Sequence, residues 1–197
     1  MTKYNPDIHH RKSIRLKGYN YSQAGAYFVT ICTRDRECVF GEIVDGRMVL
    51  NDAGRMVKLV WNELPQHYSG VDIDGFVAMP NHIHGIIVLT VGAGPRACPK
   101  DERSHNEGGQ PQGVAPTISL SDVVHRFKSL ATARYRQGVR ENNWRPFPGR
   151  LWQRNYYEHI IRTEEELNRF HEYIQNNPMQ WEGDEENPGS NTKKEGT

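Results

Sequence analysis

Short runs of β-branched and aromatic residues mark the first half of the chain, and apolar positions three and four apart mark much of the second. GAYFVTICT, Gly25 to Thr33, predicts a strand. CVFGEIVDGRMVLN places Asp45-Gly46 between two apolar runs, which predicts a hairpin. In NDAGRMVKLVWNEL, Met56, Leu59, Val60 and Leu64 fall at helical spacing behind a capping Asn51 or Asp52. DIDGFVAMP and HIHGIIVLT read as two strands divided by Pro80-Asn81. SLSDVVHRFKSLATARYRQ is an amphipathic helix, with Val123, Val124, Phe127, Leu130 and Ala131 on one face. FPGRLWQRNYYEHIIR contains a short strand. TEEELNRFHEYIQNN is a last helix, with Thr163 and Glu166 spaced as a capping box and Pro178 as its stop. Strand, hairpin, helix, strand pair, helix, strand, helix is the order of an α+β sandwich, a ferredoxin-like antiparallel sheet with helices packed on one face.

The rest divides around that frame. Residues 1–24 form a basic arm, 25–181 the folded domain, and 182–197 an acidic, polar tail expected to be disordered. Within the domain, 91–116 is Gly, Pro and charge, and reads as a mobile surface insertion. The 197 residues are enough for one domain with a full core.

Composition alters this picture little until it is read locally. Lys and Arg number 25 against 24 Asp and Glu, so total charge names no partner. Between Asp122 and Arg162, however, basic residues far outnumber Asp122, Glu141 and Glu158, and Trp144, Trp152, Tyr156 and Tyr157 lie among them. Basic residues interleaved with aromatics suit a nucleic-acid backbone and its bases, and equally a solvated arginine-rich surface. Cys32, Cys38 and Cys98 form no paired framework, and no apolar run is long enough to span a membrane, so a reducing cytoplasm is expected.

Chemistry enters at MPNHIHGIIVL. Alternation along a strand points His82 and His84 to one face and Ile83 to the other. Two neutral imidazoles can supply half of a metal site, or be two partly buried histidines, and the pair alone does not decide. In the last helix, Tyr173 and Asn177 are four apart and project from one side. A phenol beside a carboxamide is what a metal-assisted phenolate nucleophile requires, while Tyr173 also fits a core-edge tyrosine beside Phe170 and Ile174. Tyr156 and Tyr157 compete for a nucleophile's role but lack a carboxamide at helical spacing. His159 reads as a core histidine or an orienting group.

GAYFVTICT, FVAMPNHIHGIIVL, LWQRNYYEHIIR and EYIQNNP, in that order, resemble the HUH superfamily of single-strand DNA nucleases, and within it the REP-associated single-tyrosine transposases. The resemblance implies His82, His84 and Asn177 as ligands of Mg²⁺ or Mn²⁺ and Tyr173 as the nucleophile that forms a 5′-phosphotyrosine link. It implies single-stranded or hairpin DNA as substrate, no membrane partner, and either a monomer or a homodimer. Arg126, Lys128, Arg150 and Arg154, with Lys17 and Tyr19 of the arm, are the expected DNA contacts. The rival readings are a catalytically silent nucleic-acid-binding protein on the same scaffold and a zinc hydrolase, for which no carboxylate ligand stands out.

Overall fold

The computed structural model describes residues 19–95 and 118–190. Its strands are β1 (Gly25–Cys32), β2 (Gly41–Val44), β3 (Arg47–Leu50), β4 (Tyr68–Ala78), β5 (His82–Pro95) and β6 (Tyr157–Ile161). The helices are α1 (Asp52–Asn62), α2 (Leu64–His67), α3 (Leu120–Glu141) and α4 (Glu164–Asn176). Short 3-10 segments cover Arg34–Arg36 and Asn177–Gly183. This is the α+β architecture expected from the order of elements. β4-β5-β1-β6 make one antiparallel sheet, and β2-β3 make a separate hairpin. Asp45 and Gly46 turn that hairpin with φ of 49° and 70°, the left-handed pair such tight turns use.

Alternation on β1 and β5 sorts the core into two unequal layers. Tyr27, Val29, Ile31, Ile83, Ile87 and Leu89 pack in one cluster with Val57, Val60 and Trp61 of α1 and Val123, Val124 and Phe127 of α3. Phe28 and Ile86 lie in a second cluster with Ile174, Phe170 and Leu167 of α4. Helices therefore cover both faces. The single-face expectation holds for α1 and α3 alone, because α4 carries its own apolar stripe to the side on which the even-numbered residues of β1 and β5 point.

Local chemistry sets the element ends. Asn51 Oδ1 accepts from Gly54 N–H at 2.9 Å and caps α1. Ser119 and Asp122 form a reciprocal capping box on α3. On α4 the box is displaced. Thr163 accepts from Glu166 N–H, but the Glu166 carboxylate reaches back to the N–H of Arg162. α4 ends at Asn176, directly ahead of Asn177-Pro178 as expected, and Pro178 sits early in the 3-10 segment that follows, where its missing N–H costs nothing.

Two boundaries differ from those read off the sequence. The segment expected to leave the sheet at Val91 stays paired as far as Pro95, opposite Tyr68. The remainder of that insertion lies outside the described residues. The tail expected to be disordered from 182 folds back to residue 190, with Asn187 Nδ2 donating to Trp181 O and Ser190 Oγ to Asp184 O. No helix among the described residues is long and apolar enough to cross a membrane.

Candidate active site

β5 enters the sheet beside β1, placing Cys32 opposite His82 and Thr30 opposite His84. Both imidazoles are buried and face α4, and their Nε2 atoms stand 2.9 Å apart. Each ring is held from behind. Thr30 Oγ1 lies 2.8 Å from His84 Nδ1. Asn81 Oδ1 lies 2.8 Å from His82 Nδ1, while Asn81 Nδ2 donates to the carbonyls of Arg36 and Glu186. With both amide hydrogens committed, the Asn81 oxygen can only accept, so Nδ1 of His82 carries the hydrogen and Nε2 keeps its lone pair. Burial pushes the His82 pKa down to about 4, and burial with the neighbouring His82 holds His84 well below its ordinary value. Both rings are neutral at neutral pH, the form that binds metals.

α4 brings Tyr173 over this pair. Its hydroxyl is 3.4 Å from His84 Nε2, and its ring meets those of His84 and Phe28 edge-on. One turn on, the Asn177 side chain is buried. Its Nδ2 donates to Asp184 Oδ2 at 3.4 Å, while its Oδ1 has no hydrogen-bond partner among the described residues. A buried carbonyl oxygen left unpaired is costly unless something outside the polypeptide satisfies it. Asp184 Oδ2 lies 3.8 Å from His82 Nε2, and ligand atoms of His82, His84 and Asp184 all fall within 4.8 Å of one another. Two neutral nitrogens, a carboxylate and an orphaned amide oxygen form a mixed N/O donor set suited to a divalent cation. His84, Asn177 and Asp184 line a cavity of about 660 Å³ together with Tyr173, Thr30, Tyr157, Phe170 and Glu186.

The sequence-derived site residues separate into those the fold gathers and those it scatters. His82, His84, Tyr173 and Asn177 converge. Arg150 and Arg154 line a second cleft with Arg34 and Arg36. Lys128 is turned inward. Its ammonium donates to the carbonyls of Gln153, Arg154 and Asn155, sits over the Tyr156 ring, and has its pKa pulled down to about 8 by burial. It is a backbone clamp, not an exposed cation. Arg126 is exposed and acts electrostatically on Tyr68 of edge strand β4, so it does not join Arg150 and Arg154. Tyr19 stacks edge-on against Tyr21 and meets the Tyr27 hydroxyl at 3.4 Å. Lys17 lies outside the described residues.

Sequence reasoning missed Asp184, Asn81, Thr30, Arg34 and Arg36. Asn81 and Thr30 were readable from the predicted strands, one beside His82 and one on the other strand rich in β-branched residues. Asp184 lies in a polar stretch with no periodicity to place it.

Residues 113–177, which include Tyr173 and Asn177, match the family model for IS200-like transposases. The chain is 47% identical over 186 residues to an uncharacterized protein of Haemophilus influenzae, covering 93% of this chain and 97% of that one. Its fold is similar to that of a REP-associated tyrosine transposase solved bound to a REP hairpin. The TM-score is 0.54 at 16% identity, over 85% of this chain and 74% of that one. The chain shares a family with that Haemophilus influenzae protein, and its residues 113–177 carry the match to the IS200-like transposases.

Proposed function

We propose that this transposase is a metal-dependent endonuclease and strand transferase of single-stranded DNA, acting on hairpin or repeated palindromic sequences. The observation that carries this reading is the Tyr173 hydroxyl standing over two buried, neutral histidines beside an Asn177 oxygen that no described residue satisfies. His82, His84 and Asn177, with Asp184 in reach, would hold Mg²⁺ or Mn²⁺. The ion would polarise the scissile phosphate and favour loss of the phenol proton. Tyr173 attacks the phosphorus, the Tyr173 Oη–P bond forms, and the P–O3′ bond breaks, leaving a 5′-phosphotyrosine and a free 3′-OH. One phosphodiester replaces another, so a 3′-OH can reverse the step and join strands without an energy source. Arg126, Arg150 and Arg154, with Lys17 and Tyr19, would hold the DNA, while Lys128 supports the backbone behind Arg154. The likeness to a transposase solved on a REP hairpin favours a hairpin substrate.

The test is incubation of an end-labelled hairpin carrying a single-stranded flank with Mn²⁺ or Mg²⁺, followed by denaturing electrophoresis. A covalent protein–DNA band, abolished by a chelator, is the expected result. Binding without a band would leave a catalytically silent DNA-binding protein, and chelator-resistant cleavage would remove the metal from the mechanism.

A further inference from the structure

Beside the histidine pair, on the far side of Cys32, lies a cleft of about 710 Å³ lined by Arg34, Asp35, Arg36, Arg150, Trp152, Gln153 and Arg154. We infer that this cleft is a phosphate-binding subsite for the single strand flanking the scissile bond, an inference that rests on the nuclease reading above.

The cleft has built walls. Thr33 bridges to Trp152, Arg34 N–H donates to Leu151 O at 2.8 Å, and Gln153 N–H donates to Cys32 O at 2.9 Å. These bonds staple the two arginine-bearing segments together at the end of β1. Lys128 grips three successive carbonyls behind Arg154, fixing that wall from below. Four guanidiniums face one carboxylate of the lining. Arg34 pairs with Asp35 at 3.2 Å, whereas neither Arg150 nor Arg154 has an acidic partner among the described residues. A concave, preformed cluster of planar donors selects oxyanions that accept two hydrogen bonds, as phosphodiesters do.

A side-chain ion pair joins the cleft to the active site. Arg36 lines it, and Arg36 Nε pairs at 2.9 Å with Glu186, which lines the cavity of Tyr173 and His84. An oxyanion already occupies a guanidinium at that junction. A strand leaving Tyr173 would cross it into the arginine cleft, its phosphate taking the place of the Glu186 carboxylate.

The experiment compares Arg34→Gln/Arg150→Gln/Arg154→Gln with a charge-matched control, Arg47→Gln/Arg136→Gln/Arg140→Gln, each checked for the wild-type melting temperature. The probe is a fluorescein-labelled oligothymidylate of about 12 nucleotides, with anisotropy followed across a salt series in chelator, so that no cleavage is needed. The cleft variant should bind at least about tenfold more weakly, and its log–log salt slope should fall in magnitude by roughly 2, about 0.7 for each of three lost contacts. The control should keep the wild-type slope. Arg→Lys at the three cleft positions should preserve the slope while losing part of the affinity, because charge remains and the planar fork does not. Equal losses in cleft variant and control, or none in either, would overturn the proposal. A wild type that forms no covalent adduct while the cleft effect persists would retire the nuclease reading and leave the subsite standing.

Discussion

The Tyr173 hydroxyl and Nε2 of His84 face each other at 3.4 Å across the interface of α4 and β5. Burial, and then the charge of Asp184, push the phenol up to about 12, so it is protonated at neutral pH and must be helped to ionise. Its ring is seated against Phe28, itself stacked on Phe170, and stays there without the hydroxyl. Tyr173→Phe should therefore bind hairpin DNA as the wild type does and lose the covalent adduct by at least roughly 10³-fold, as nucleophile removal does elsewhere. Tyr157→Phe should keep it. An adduct that survives Tyr173→Phe and vanishes with Tyr157→Phe would reassign the nucleophile.

Asn81 presents an obligate acceptor to His82. Asn81→Ala should weaken Mn²⁺ binding by about 10- to 100-fold, the usual cost of losing a group that orients a metal ligand. Calorimetric titration measures this directly. The ¹⁵N shifts of His82 in metal-free protein should show the loss of a single Nδ1–H tautomer, which a general loosening of the fold would not select.

Gly85 follows the histidines because nothing larger fits beneath the indole of α1. A Cβ there would stand 2.3 Å from Cζ2 of Trp61, a buried ring in the main core. Gly85→Ala should cost about 1–3 kcal/mol of stability, as overpacking does, read as a lowered midpoint in urea.

Arg134 grips Glu63 through both terminal nitrogens, at 2.9 and 2.6 Å, tying α3 to α1. That hydrogen-bonded pair holds the Glu63 carboxyl below its ordinary value of 4.5. A carboxyl lowered by folding adds stability above its unfolded pKa and loses it as pH falls through the folded one. Glu63→Gln should thus lower the melting temperature modestly at pH 7, since a part-exposed pair is worth about 0–1 kcal/mol. The difference from wild type should vanish in a melt well below the carboxylate range.

Much of the site was legible because it obeys two periods. A period of two put His82 and His84 on one face, and a spacing of four put Tyr173 and Asn177 on one side of a helix. Charge was less legible. Arg126 and Lys128 are neighbours in a count of basic residues, yet two positions on a helix diverge by about 200°. One therefore faces solvent near Tyr68, and the other is half-buried with its ammonium on three carbonyls. Asp184 and Glu186 were illegible for the opposite reason. They reach the histidines and Arg36 through turns, and turns leave no repeating signature of what they pack against. Helices on both faces could have been inferred from the apolar stripe of Leu167, Phe170 and Ile174, which the single-face reading left without a surface to cover.

Tyr173 and His84 are 89 positions apart in the chain. At roughly 5–20 residues per second, a ribosome makes the HIH strand some 4 to 18 seconds before Tyr173. β1 meanwhile has only one of its two neighbours, since β6 is also still to come. A nascent or prematurely terminated chain therefore carries the histidines without Tyr173, and under the mechanism proposed above it would not nick DNA. The candidate site is completed in a single late event, when α4 closes over a half-site made long before.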